Sequence, residues 1–134
     1  MRKKKAELPE IPELDDRDLA RLLGLTRAAV GALCVIAPSR AARFYDSGPT
    51  DVAGRMAIRG LGARDVALGV GLMTALQNNG PVRSWLEGGV VADAGDLVAA
   101  LLNWRSLSSM RKLLWLGATG GGVWLGTRLA SSLD

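Results

Sequence analysis

The stretch Leu113–Thr127 runs fifteen residues without a charged side chain, and five of them are glycine. A helix of about four turns built from it has no polar face to offer water. Further uncharged runs lie between Arg27 and Arg40 and between Asp65 and Arg83. Glycine is equally frequent elsewhere in the apolar body: Gly60, Gly62, Gly69, Gly71, Gly88, Gly89 and Gly95. In water each helical glycine costs roughly 1 kcal/mol relative to alanine. In lipid the same residues let helix backbones approach, and Gly117/Gly121 and Gly122/Gly126 have the small-xxx-small spacing for it. The sequence therefore predicts an all-α fold, an integral membrane antiparallel four-helix bundle. A soluble four-helix bundle is the alternative, because charged residues interrupt every long apolar run and none reaches the usual length of a charge-free span.

Helix punctuation divides the chain clearly. Asp15 is placed to cap a first helix, with Asp18 at its third position and Leu14 and Leu19 spaced as a hydrophobic staple. That helix ends at Pro38, and Ser39–Asp46 forms a short interfacial helix with Phe44 and Tyr45 at headgroup depth. After the turn Ser47-Gly48-Pro49, Thr50 or Asp51 caps a second long helix reaching Leu76, which Asn78-Asn79-Gly80-Pro81 stops. A third runs from Val82 to Trp104 and a fourth from Ser109 to Ser132. Residues 1–14, with Pro9 and Pro12, form a mobile tail, and residues 15–134 the four-helix transmembrane domain. Trp85, Trp104 and Trp115 fall near helix ends, where their rings favour the interface.

Charge narrows the function classes. Residues 1–21 hold six basic and six acidic side chains, so the net +4 arises in the apolar body and is almost all arginine. No basic stripe with interleaved aromatics appears, which removes nucleic acid as a partner. Without histidine there is no His-based general base, metal site or haem ligand, and the single cysteine, Cys34, forms no disulfide within the chain. No catalytic set and no cofactor are implied, so the expectation is a non-enzyme. Four spans put both termini on one side. Counting the cluster Arg2–Lys5 makes that side cytoplasmic in the cell membrane, and omitting it reverses the bias.

Charged side chains inside apolar helices are expensive, which makes them the functional candidates. The second long helix carries Arg59, Arg64 and Asp65, and the third carries Asp93 and Asp96 on one face, beside Gly89 and Ala92. Arg64 and Asp65 point about 100° apart, so a single helix contact cannot absorb both. In one reading Arg59 or Arg64 forms an intramembrane charge pair with Asp93 or Asp96 and fixes the register of two helices. In the other, these five residues line a polar pocket or proton path. Arg27 on the first helix either joins them or reaches for the headgroups. Gly60-Leu61-Gly62 begins a dinucleotide fingerprint, but Asp65 stands where the third glycine belongs and no strand precedes it.

The run Arg59-Gly60-Leu61-Gly62-Ala63-Arg64-Asp65-Val66-Ala67-Leu68-Gly69 resembles the R-G-x-G-x-R-D-x-x-L-G pattern of a family of small four-helix bacterial membrane proteins of undefined activity. In size and layout these are similar to the DoxX-like membrane proteins. The resemblance implies an antiparallel four-helix transmembrane fold, marks Arg59, Arg64 and Asp65, and supplies no reaction. The functional expectation is an accessory or assembly subunit in the lipid bilayer, packing with copies of itself or within a membrane protein complex. The alternative is a small transporter, or a lipid- or quinone-binding protein using the Arg–Asp centre.

Overall fold

The computed structural model describes residues 14–45 and 51–133, and these are helical with no strand among them. The tail over residues 1–13, the turn Ser47-Gly48-Pro49 and the expectation placed on Phe44 and Tyr45 lie outside what it describes. Helix α1 (Asp16–Ile36) starts where Asp15 accepts a hydrogen bond from the Asp18 amide at 2.7 Å, the cap expected from sequence. Pro38 opens α2 (Pro38–Tyr45), its missing N–H being no loss in a first turn. Asp51 caps α3 (Val52–Gln77) through the Gly54 amide at 2.7 Å. Asn79 takes a left-handed φ of 51° after that helix, and the Gly80 amide returns to the Ala75 carbonyl. Helix α4 (Val82–Leu102) follows at once.

Two boundaries differ from the sequence reading. Helix α4 stops at Leu102, short of Trp104, because Asn103 turns its side-chain amide back onto the Ala99 carbonyl. A 3₁₀ turn over Trp104–Ser106 then leads to α5 (Ser109–Trp115). The expected single fourth helix is interrupted by a π turn over Leu116–Gly120 before α6 (Gly121–Ser132). Gly117, Gly120 and Gly121 have no neighbour near the place a Cβ would occupy. The wider turn therefore meets no steric opposition there, and the Thr119 hydroxyl donates to the Trp115 carbonyl across it at 2.7 Å.

Four long rods result, α1, α3, α4 and α5–α6, with the two described ends of the chain at the same end of the bundle. They form two tight pairs, α1 with α3 and α4 with α6. The first pair interlocks through four glycines. A Cβ on Gly31 would meet the Gly62 carbonyl oxygen at 2.6 Å, and one on Gly69 would meet the Gly24 carbonyl oxygen at 2.5 Å. The crossing is antiparallel, and only hydrogen fits at it. Gly117 and Gly121, expected to make such a contact, face open space, while Gly122 and Gly126 lie against α4. The two pairs join at the terminal end through Ala20, Leu72, Leu76, Leu86, Leu129 and Ala130. A smaller cluster of Cys34, Ala41, Ala42 and Ile58 seals α2 against the far end of the first pair.

The seam predicts two mutations of opposite sign. Gly62→Ala forces its Cβ against Cys34 and the Gly31 carbonyl and should destabilise by about 1–3 kcal/mol. Gly60→Ala, with nothing within 4 Å of the new methyl, should stabilise by up to about 1 kcal/mol. Thermal unfolding of the two variants beside the parent checks both.

Candidate functional site

Where the two pairs meet at mid-length, three helices bring five charged side chains together. Arg27 of α1 reaches across the bundle: one guanidinium nitrogen donates to Asp93 Oδ2 of α4 and the other to Asp65 Oδ1 of α3, at 3.3 Å. Arg64 of α3 makes a two-pronged pair with Asp96 of α4, Nη1 to Oδ1 at 3.0 Å and Nη2 to Oδ2 at 2.8 Å. It also folds back on its own neighbour, Nε and Nη2 both donating to Asp65 Oδ1. The result is a chain of alternating charge, Asp93–Arg27–Asp65–Arg64–Asp96, in which Asp65 is the shared link. The divergence of Arg64 and Asp65 around α3 is thereby used twice, one residue facing α4 and the other α1.

Small residues make room for this chain. A Cβ on Gly89 would sit 3.3 Å from the Arg27 guanidinium, so Arg27 lies directly over that part of α4. Beneath Asp93 there is space only because residue 122 is glycine; a Cβ there would collide with its carboxylate. Gly122 is thus a seat for a charged side chain, a role its spacing to Gly126 did not suggest.

The centre has an inner and an outer half. The side chains of Arg27 and Asp93 are 10% and 12% exposed, while those of Arg64 and Asp96 are 32% and 21% exposed. The outer half opens on a cavity of about 330 Å³ between all four rods. Leu23, Val30, Leu61 and Leu114 give it apolar walls, and Trp115 and Thr119, at the π turn, close one side. Of the sequence candidates, Arg64, Asp65, Asp93 and Asp96 come together here. Arg59 does not: it lies on the exposed surface of α3 and donates to the Val35 carbonyl at 3.2 Å. The reason is angular, since Arg59 and Arg64 are five residues apart and point in different directions. Arg27, which the sequence left between two roles, takes the central one.

A second, larger hollow of about 950 Å³ runs along the outside of α1 and α3 to the start of α4, lined almost wholly by apolar residues such as Ile36, Val70 and Trp85. Set against family models, curated proteins and solved structures, the chain matches none of them.

The inner half should be the more costly to disturb. Arg27→Leu leaves Asp93 buried without its cation and should destabilise by about 3–5 kcal/mol, whereas Arg27→Leu/Asp93→Leu should recover much of that loss. Thermal unfolding of the single and double variants measures the difference; a double variant no better than the single would mean that the pair does not act as a unit.

Proposed function

We propose that this chain is a small multi-pass membrane protein whose charged centre lines a binding cavity for a small amphiphilic molecule. The observation that carries the reading is an inverted distribution of polarity. Arginines and aspartates pair in the interior, while Leu22, Leu25, Val70, Val91, Val98 and Leu113 are exposed on the outside. Water does not favour such a surface, and hydrocarbon does.

Element lengths agree with this. The 21 residues of α1 and of α4 each span about 31 Å, close to the thickness of a bilayer core. Helix α1 is long and apolar enough to cross a membrane, and only 22% of its most apolar stretch is buried, unlike the core helix of a soluble bundle. Among the described residues α1 is the one helix that is both long and apolar enough; the other rods fall short of it, with Arg64 and Asp65 in α3, Asp93 and Asp96 in α4, and the break at Leu116–Gly120 in the fourth. Charges at mid-span persist where each has a partner, as these do. The cavity combines the two elements of a small-molecule site, apolar walls and a few convergent polar groups. The resemblance of Arg59–Gly69 to the motif of a family of small four-helix membrane proteins agrees with a membrane setting, and the basic residues Arg2–Lys5 favour cytoplasmic termini.

A second reading, an accessory or assembly subunit that packs with itself or a membrane partner, is favoured by the apolar hollow along α1 and α3. It assigns the charged centre to holding the helices alone.

Membrane partition tests the setting. After expression, isolated membranes washed with high salt and then alkaline carbonate should retain the protein, which should come away only with detergent. Release into the carbonate supernatant would overturn the multi-pass reading. Asp96→Asn then separates the two roles: the binding reading expects a folded protein with altered ligand affinity, and the assembly reading expects a loss of folded yield.

A further inference from the structure

The charges that face the cavity do not balance. They are Arg27 from α1, Arg64 and Asp65 from α3, and Asp93 and Asp96 from α4; the α5–α6 rod contributes Leu114, Trp115, Ala118, Thr119 and Gly122, none of them charged. Two guanidinium groups thus meet three carboxylates. We propose that the cavity takes a small organic cation, held against the carboxylate in excess. This deepens the binding role proposed above and rests on it.

The hydrogen bonds point the same way. Both guanidinium groups are committed: Arg27 to Asp65 and Asp93, Arg64 to Asp65 and Asp96. An anion would have to displace a carboxylate already in place. The acceptors are less fully used. Oδ2 of Asp65 and Oδ1 of Asp93 receive no hydrogen bond among the described residues, yet no buried side-chain oxygen there is sealed off without a partner. Neither atom is therefore completely buried. A metal ion fits poorly, since each carboxylate is already bound by arginine and no acidic cluster among the described residues has a metal-holding arrangement. An organic cation suits the rest of the wall. Its alkyl or aromatic body would lie against Leu23, Val30, Leu61 and Leu114.

The test uses the full chain purified in a non-ionic detergent and two probes of similar size and opposite charge, benzyltrimethylammonium and phenylmethanesulfonate, titrated by calorimetry. Benzyltrimethylammonium should bind saturably, one per chain, and phenylmethanesulfonate should not. Two substitutions in the outer, part-exposed half of the centre should act in opposite directions. Asp96→Asn brings the charges into balance and should weaken cation binding about tenfold or more, while Arg64→Gln leaves two carboxylates in excess and should strengthen it. Circular dichroism and gel filtration confirm that both variants are folded. Saturable binding of the sulfonate alone would overturn the cation assignment and leave the cavity as a binding site. Cation affinity that neither substitution moves would also overturn it. If neither probe binds, the binding function falls together with this inference.

Discussion

Arg27 joins the two halves of the molecule at the more deeply buried of their guanidinium–carboxylate contacts. It starts from the tightly interlocked α1–α3 pair, meets Asp65 within that pair, and extends to Asp93 in the other. Near the chain termini the two pairs share an apolar core, but at mid-length guanidinium–carboxylate contacts join them. A contact of this kind has a direction and a length, which apolar packing lacks. Sliding one pair along the other would separate Arg27 from Asp93 and Arg64 from Asp96. Register at this level is therefore electrostatic, and the aspartates three residues apart on α4 meet arginines from two different helices.

That arrangement depends on backbone spacing. Gly24 and Gly31 face Gly69 and Gly62 so closely that α1 and α3 touch at main-chain atoms. The short interaxial distance brings Arg27 alongside Asp65 and leaves enough of its side chain to reach α4. Gly62, Arg64, Asp65 and Gly69 lie within eight residues of one helix, so a single segment sets both the distance between helices and the charges that use it. The segment Arg59–Gly69 is thus the joint of the structure: two of its glycines form the seam, its Arg-Asp pair forms the middle of the charge chain, and Arg59 and Gly60 stand outside both.

Much of this was legible in the sequence. Asp15, Asp51 and the Asn-Asn-Gly-Pro stop acted as local signals, and local signals are short enough to read without the fold. Asp93 and Asp96 on one face, and the divergence of Arg64 from Asp65, followed from helix geometry. What escaped reading depends on which helix lies beside which. The spacing Gly117/Gly121 was a good pattern pointing at no neighbour, while the working seam uses a seven-residue spacing on two helices. Arg27 could be assigned only once α1 was known to cross α3 at the level of Asp65. Arg59 shared its segment with true members of the centre and failed only in direction. Gly122 looked like a place for a neighbouring backbone and proved to be a place for a carboxylate.

The π turn at Leu116–Gly120 has a further consequence. A π turn holds more residues than an α turn, so every position after it is rotated relative to the helix before it. Gly122 under Asp93 and Gly126 against Val90 are brought to their places by that added rotation. The segment should then evolve under an unusual rule. Leu116, Gly117 and Gly120 are free to drift, since they lie away from the cavity, but the residue count is fixed. Loss or gain of one residue there would turn α6 about its own axis and present α4 with a different face, so indels in this short stretch should be rarer among descendants of this sequence than substitutions in it.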